Sequence, residues 1–419
     1  MRPDPCGVII MRAEIIATGD ELLSGGVVDT NSVFIAEGLL KIGIETSFKT
    51  VVGDDEKDME EAIRSAIGRS DIVIITGGIG PTEDDITRKV VAKVTRRRLG
   101  LNEDALKAIK ARLAGREYYN SNDRQALLPV GSRLIPNTIG TAPGFILDEE
   151  GKFIAVLPGV PREMEAMYRD GLRPILEERF GGRRFISRRV LRTFGMPESA
   201  LNEAIAEFLK KGTPLIGLSA DEYGVDIRIV AHGPSAANAK SIVEKTESDI
   251  RRILGDTVYG VDNQTMEEIV GALLKQRRLR LAVAESCTGG LISQRITDIP
   301  GSSEYFERAA VVYSNASKTD MIGVSSDLIE SQGAVSREVA AAMADGIRIS
   351  ARADIGLSVT GIAGPSGGSA EKPVGLVYMA IASSSGVKVE DHRFLGARRQ
   401  IRMRASQAGL DMVRRHLII

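Results

Sequence analysis

Apolar and polar positions along the chain change their period several times, and the changes mark out three segments. From Glu14, the run Ile15-Ile16-Ala17 is continuously apolar and stops at Thr18-Gly19-Asp20, as a short buried strand does. Asp29-Thr30-Asn31 then offers N-caps for a helix reaching Leu40. A second strand is predicted over 48–52, an amphipathic helix over 57–67 and a third strand over 71–75. That third run, Asp71-Ile72-Val73-Ile74-Ile75, is apolar on both faces, which belongs to a parallel sheet covered by helices on both sides. A helix over 87–95 and a buried strand over 153–157, ending at Pro158-Gly159, complete a doubly wound α/β domain assigned to 1–180.

Gly181-Gly182-Arg183-Arg184 reads as a linker. Beyond it, a strand over 187–194, a helix over 199–209, a strand over 225–231 and a helix over Ala236–Leu254 form a small α+β segment, 181–260. Its order suits a KH-like fold, yet it has no G-x-x-G loop of the kind that clamps a nucleic-acid backbone. The third segment, 261–419, returns to α/β. A helix over 265–276 leads into strands over 279–284, 309–313, 355–359 and 374–382, and a last helix runs over 399–416.

Composition narrows the partners. With 43% hydrophobic and 26% charged residues, the 419-residue chain can build more than one sizeable core. A net charge of -1 gives no long-range field for nucleic acid or membrane, and no apolar run reaches the ~18 residues of a membrane span. Cys6 and Cys287 are too few for a disulfide framework or a four-thiolate zinc site, which fits a reducing cytoplasm. Met11 opens a more compact reading of the N-terminus, and the decapeptide before it reads as an extension or a start-site artefact.

Glycine-rich turns at strand ends carry the candidate chemistry. In the first domain, Thr76-Gly77-Gly78-Ile79-Gly80-Pro81-Thr82-Glu83-Asp84-Asp85-Ile86-Thr87 stands where a buried strand becomes a helix. Glycines there let backbone N–H groups approach a phosphate, and a helix N-terminus favours the anion. Carboxylates beside such a site call for a divalent cation, for which Asp84 and Asp85 are candidates, with Asp20 and Glu21 behind them. The alternative is structural: Thr82-x-x-Asp85 resembles a capping box, and both aspartates would favour a helix dipole without any ligand. Gly19-Asp20 and Pro158-Gly159 also follow buried strands, and three such turns on one sheet edge argue for a pocket.

In the third segment, Glu285-Ser286-Cys287-Thr288-Gly289-Gly290 and Thr360-Gly361-Ile362-Ala363-Gly364 each follow a strand. Between them lie Gly301-Ser302-Ser303, Tyr313-Ser314-Asn315 and Lys318. None of the three histidines falls in a glycine motif, so a Ser-His-Asp triad is disfavoured. Hydroxyls grouped with a lysine suit acyl transfer through a serine activated by a lysine of lowered pKa, with turn amides as oxyanion hole. Each residue also has a plainer reading. Ser303 would cap a helix holding Tyr305 and Phe306, Lys318 would be a solvated helix lysine, Tyr313 would be packing and Cys287 a small buried thiol.

These motifs resemble a known family. GDEL, TGGIGPTEDDIT and LPGVPREM are similar to the molybdopterin-binding (MoaB/MogA-like) domains, and more closely to the N-terminal domain of the competence/damage-inducible CinA family. ESCTGG, PGSS-x-x-F-x-R, YSN-x-x-K, GAVS, TGIAGP-x-GG and KPVG resemble the CinA C-terminal domain, the PncC-type amidohydrolase of nicotinamide mononucleotide (NMN). The resemblance implies conversion of NMN to nicotinate mononucleotide and ammonia without a cofactor, within pyridine-nucleotide recycling. It implies Ser303 as nucleophile with Tyr313 and Lys318 as base system, and Ser286, Thr288, Gly289, Thr360, Gly361 and Gly364 as pocket lining. Lys372, Arg398 and Arg402 would hold the substrate, the arginines at its 5′-phosphate. For the first domain it implies an ADP-ribose pyrophosphatase needing a divalent metal of the Co/Mg/Mn class and potassium. Gly19, Asp20, Gly77, Gly78, Gly80, Thr82 and Gly159 would then form the nucleotide site, and Asp84 and Asp85 the metal site. A homodimer is implied as well. Two other classes stay open: a non-catalytic molybdopterin or nucleotide-binding module, and an adaptor in DNA uptake or recombination.

Overall fold

A computed structural model of the chain describes residues 11–115, 117–181 and 185–418, so the first ten residues and much of the proposed 181–184 linker lie outside the described residues. It divides into two compact units. One is 1–187 with 232–240, the other 188–231 with 241–419.

The first unit is built on a six-stranded sheet. Its strands in chain order are β1 (Arg12–Thr18), β2 (Glu45–Val52), β3 (Ile72–Thr76), β6 (Arg133–Ile135), β7 (Gly144–Glu149) and β8 (Lys152–Leu157), with β4 (Leu99–Leu101) and β5 (Leu127–Pro129) forming a separate two-stranded ribbon. The spatial order is β2-β1-β3-β8-β7-β6. The first four run parallel, β7 pairs antiparallel with β8 and β6 antiparallel with β7, so the sheet is mixed where the apolar pattern alone predicts parallel strands. Alternation along β3 explains the double burial: Ile72 and Ile74 join Ile15, Leu39 and Phe153 on one face, and Val73 and Ile75 join Ile63, Val90 and Val156 on the other. The helix Thr30–Lys41 is capped by Asp29, which accepts from the Ser32 amide at 2.9 Å.

In the second unit, β9 (Phe185–Thr193), β10 (Leu215–Ala220), β11 (Val225–Gly233) and β12 (Val258–Val261) form a sheet ordered β10-β11-β9-β12 over a core that includes Leu191, Ile227, Ile229 and Ile250. The helix expected over 199–209 is two, Glu198–Ala204 and Ala206–Lys211, meeting at Ile205.

The last sheet comprises β13 (Leu281–Glu285), β14 (Phe306–Val311), β15 (Ile355–Gly361), β16 (Leu376–Ser383) and β17 (Gly386–Arg393), ordered β14-β13-β15-β16-β17. β14, β13 and β15 are parallel, and β16 and β17 are antiparallel additions. Val283 and Leu357 face the helices Met266–Arg277 and Arg398–Ile418, while Ala282 and Ala284 face Arg337–Ala351, whose Met343 and Ile347 complete that layer. β14 begins three residues earlier than the apolar run at 309–313 suggests. It pairs through Phe306, Arg308 and Ala309, and Tyr313 lies beyond its end. No helix among the described residues is long and apolar enough to cross a membrane.

Candidate functional site

Parallel pairing decides which turns meet. Glu285 is opposite both Val311 and Val359, so the carboxyl ends of β13, β14 and β15 deliver Ser286, Tyr313 and Thr360 to one edge. The turn after β13 is held by Glu285, whose side chain is wholly buried. It accepts from the amides of Gly290 (3.0 Å), Ile292 (3.1 Å) and Ser293 (2.8 Å), and from the Ser293 hydroxyl. A carboxylate there satisfies the first amides of helix Leu291–Thr297 and complements its dipole. Ser286 is fixed by its own amide, which donates to Val359 O at 2.9 Å.

Lys318 is 1% exposed, on helix Asn315–Ile322, with Nζ pointed into this edge. Nζ lies 3.2 Å from Ser286 Oγ, 2.8 Å from Val312 O and 3.4 Å from Tyr313 O. A neutral amine has two N–H donors and one lone pair. The two carbonyls can take the donors, leaving the lone pair for the serine proton. Burial pulls the Lys318 pKa below its ordinary value, the direction such a base needs. Cys287 lies beside them, but burial pushes its thiol up to about 12, so it is held as a thiol and makes a poor nucleophile.

The residues expected to act with Lys318 are placed differently. Ser303 is exposed on the single 3₁₀ turn Ser302–Glu304, which leads into β14 at Phe306, the residue paired with Leu281. That is the amino edge of the sheet. A six-residue strand separates it from Lys318, about 20 Å at the usual rise. Ser303 is therefore not brought to Lys318 or Tyr313. Nor does it cap a helix, because Tyr305 ends the turn and Phe306 starts a strand. The Tyr313 ring is 60% exposed, and its hydroxyl accepts from Arg398 Nη2 at 3.0 Å; only its carbonyl approaches Lys318.

The remaining expected residues do collect here. Arg398 donates to Gly364 O at 2.8 Å, and Arg402 to Thr288 O at 2.7 Å beside Gly289, so both guanidinium groups rim the edge at the start of helix Arg398–Ile418. Thr360 is buried and its hydroxyl donates to Ala334 O at 2.8 Å, a bracing contact between the β15 turn and the Gly333–Ser336 loop. Gly361 closes β15 opposite Val377. Thr288 is fully buried, with its hydroxyl lacking a partner. Lys372 donates to Gln332 O at 2.9 Å, next to Gly333.

The first unit repeats the principle. Gly19 follows β1, Gly53 follows β2, Gly77 and Gly78 follow β3, and Pro158-Gly159 follow β8, all at carboxyl ends of parallel strands. Gly77 has φ +111, and a Cβ there would stand 2.5 Å from Thr18 Oγ1, so no side chain fits between the turns. Asn31 ties them together, its Nδ2 donating to Thr76 Oγ1 at 3.0 Å and Gly159 O at 2.8 Å. Arg88, almost wholly buried, donates to the carbonyls of Ile79 and Gly80 and shapes the loop from beneath. Asn31, which the sequence offers only as a helix N-cap, and Arg88 stand outside the glycine motifs.

Asp85 is engaged with its own loop: Oδ1 accepts from Gly80 N at 2.7 Å, and Oδ2 from Thr82 N at 2.8 Å and from the Thr82 hydroxyl. The helix Thr87–Val94 has Ile86 as its N-cap, without a side-chain cap, so Asp85 pins the loop and does not form the expected box. Asp84 is exposed. The carboxylates that do approach are Asp20 and Asp54, each accepting from the other's amide at 3.0 and 3.2 Å. Burial, then the charges of Asp20, Glu21 and Asp84, raise the Asp54 pKa. Among the described residues, no three His, Cys, Asp or Glu are grouped to hold one ion.

Three family models match the chain: "Probable molybdopterin binding domain" over 14–178, "Damage-inducible protein CinA KH domain" over 188–260 and "CinA C-terminal domain" over 263–417. A competence-damage inducible protein, by name, of Caldicellulosiruptor saccharolyticus is 43% identical over 411 residues, covering 97% of this chain and 100% of its own. One from Moorella thermoacetica is 43% identical over 409 residues, covering 97% and 99%. A solved CinA structure from Thermoplasma acidophilum matches 40% of this chain and 97% of its own at 38% identity, with a TM-score of 0.37. The chain belongs to the competence-damage inducible (CinA) family, with a molybdopterin-binding-like N-terminal domain, a KH middle domain and a CinA C-terminal domain.

Proposed function

We propose that the C-terminal site hydrolyses the carboxamide of NMN, with Ser286 as nucleophile and Lys318 as base. The observation that carries this reading is the buried 3.2 Å approach of Lys318 Nζ to Ser286 Oγ at a glycine-turn edge. Lys318, as the neutral amine, takes the Ser286 proton as Oγ bonds to the amide carbon. The Lys318 ammonium gives its proton to the leaving nitrogen as the C–N bond breaks, which releases ammonia. Lys318 then takes a proton from water as the water oxygen bonds to the acyl carbon, and returns it to Ser286 Oγ as the ester C–O bond breaks, leaving the carboxylic acid, which ionises to the carboxylate. The amides of Gly289, Gly290, Leu291, Ile292 and Ser293 already donate within the turn, which assigns the oxyanion to those of Cys287 and Thr288. Arg398 and Arg402 suit the 5′-phosphate.

The test is ammonia release from NMN with and without chelator, using the unmodified protein, Ser286→Ala, Lys318→Met and Ser303→Ala. The expectation is chelator-resistant release that Ser286→Ala and Lys318→Met abolish and Ser303→Ala leaves intact. Loss in Ser303→Ala alone would overturn the assignment.

A second reading concerns the first unit. Asp54 with the three carboxylates near it, Asp20, Glu21 and Asp84, and the close turns around Gly77 support a nucleotide diphosphate, as in an ADP-ribose pyrophosphatase. A divalent cation, with potassium, belongs to that reading and would offset phosphate charge. ADP-ribose cleavage with added Mg, Mn or Co, abolished by Asp54→Asn, tests it.

A further inference from the structure

The three strand ends at the proposed hydrolase edge come from separate parts of the chain, and one turn of the last helix reaches all of them. Arg398 and Arg402 are four residues apart on helix Arg398–Ile418 and so share a face. Arg402 donates to Thr288 O from Nε at 3.3 Å and from Nη2 at 2.7 Å, which grips the turn after β13 just beyond Ser286. Arg398 Nη1 donates to Gly364 O at 2.8 Å, in the turn after β15, and its Nη2 to the Tyr313 hydroxyl at 3.0 Å. Tyr313 is the residue whose carbonyl stands 3.4 Å from Lys318 Nζ. The two guanidinium groups therefore clasp the serine turn, the residue beside the lysine and the turn facing them.

Both charges are unmatched. The acceptors are uncharged carbonyl and phenol oxygens, and among the described residues no carboxylate pairs with either arginine. Arginines further along and beside the same helix differ: Arg414 and Arg415 share Asp411, and Arg295 has Glu267. A guanidinium has five N–H donors, and each of these spends two on the clasp, so donors remain for an anion. Arg398 is exposed, and bonds to neutral oxygens offset little of the rotamer freedom that so long a side chain loses. A dianion would add the charge-assisted, bidentate bonds that fix it.

We infer that the substrate's 5′-phosphate switches this clasp on: bound across Arg398 and Arg402, it locks their contacts to Thr288, Gly364 and Tyr313 and so sets Ser286 against Lys318. Arg398, Arg402 and Tyr313 are then positioning residues, and the substrate class is the nucleoside monophosphates. This role rests on the hydrolase reading of the edge. Phosphate binding, remote from the amide, is expressed in kcat as well as in KM. A nucleoside without the phosphate meets a loosely held dyad, and a displacement of ~1 Å between reacting groups costs about 100-fold.

The experiment compares ammonia release by the full-length chain from NMN and from nicotinamide riboside, each at saturation, and repeats the riboside with inorganic phosphite, a free dianion that stands in for the missing phosphate. The expected result is a kcat about 100-fold lower for the riboside, raised at least tenfold by phosphite in a saturable manner. Arg398→Met should abolish the phosphite effect and bring kcat on NMN toward that on the riboside. Arg398→Lys should not restore it, because an ammonium lacks the fork that spans two acceptors. Tyr313→Phe keeps the ring, removes the acceptor and should weaken the phosphite effect; circular dichroism checks that each variant is folded. Equal kcat on NMN and the riboside, or a riboside rate indifferent to phosphite, would overturn the inference and leave the hydrolase reading standing. No ammonia from NMN would sink the hydrolase reading and this inference with it.

Discussion

At the residue scale, the proposed reaction depends on one proton carried between Ser286 and Lys318. Loss of a nucleophile held by its base lowers turnover by ~10³-fold or more, so Ser286→Ala and Lys318→Met should each fall by at least that factor. The pH profile follows from burial. Lys318 holds its proton less tightly folded than as a free lysine, so kcat should climb with pH and level off above that lowered value, below 10.5. Linkage gives a matching stability effect. Between the lowered value and 10.5 the unfolded chain binds the extra proton, so the native state gains stability as pH rises through that window. Denaturant titrations at several pH values should find this slope in the wild-type chain and not in Lys318→Met. The lysine is legible in YSN-x-x-K and Ser286 in ESCTGG as a pocket residue, but the approach of the two is not. Ser303 precedes Lys318 by one strand and looks adjacent in sequence, yet that strand carries the two to opposite edges.

At the scale of elements, Glu285 couples strand, turn and helix. Replacing it by Ala leaves three amides of helix Leu291–Thr297 without their carboxylate, and charge-assisted bonds of this kind suggest a loss of about 3 kcal/mol. Glu285→Gln, which keeps one acceptor, should recover part of the stability and of the activity; urea unfolding beside ammonia release would separate the two. Periodicity located helices such as Thr30–Lys41, Glu56–Arg69 and Met266–Arg277, because 3.6-residue repeats follow directly from burial of one face, but it did not find Glu103–Arg112 or Arg337–Ala351. It placed Ala236–Leu254 to the residue. It missed β17, whose Gly386–Arg393 run is largely exposed and polar, as an edge strand can be. It also ran two helices together at Ile205, where nothing in the apolar pattern marks a break.

At the scale of the whole molecule, charge networks tie distant segments. Glu390 on β17 is bonded by Arg415 at 2.7 Å, with His392 and Lys388 beside it. The His392 contact and then Arg415 hold its carboxyl far below the usual range. A depressed carboxylate contributes stability above its unfolded value of about 4.5, and that contribution is lost as pH falls toward the folded value. Glu390→Gln should therefore lower the melting temperature at pH 7 and have progressively less effect below pH ~4.5. Arg414, 4% exposed, joins Asp411 and reaches Asp256 O at 2.7 Å, linking the last helix to the end of the middle segment. Arg414→Met leaves Asp411 with Arg415 alone, and breaking a buried pair from one side costs about 3 kcal/mol, readable by calorimetry.

The chain by itself determined what is local. Buried strands, amphipathic helices and the glycine turns between them are set by residues within a few positions of one another. The family motifs extend the same information along the whole chain. Which side chains share a site was decided only by the tertiary structure, because parallel pairing gathers strand ends that are far apart in sequence. Ser286 and Lys318 meet across β13 and β14, Asn31 bridges the turns after β3 and β8, and Arg295 bonds Gln407 on another helix. Spacing along the chain carries no record of those approaches, since a strand of six residues separates its ends by about 20 Å while a neighbouring strand lies about 5 Å away.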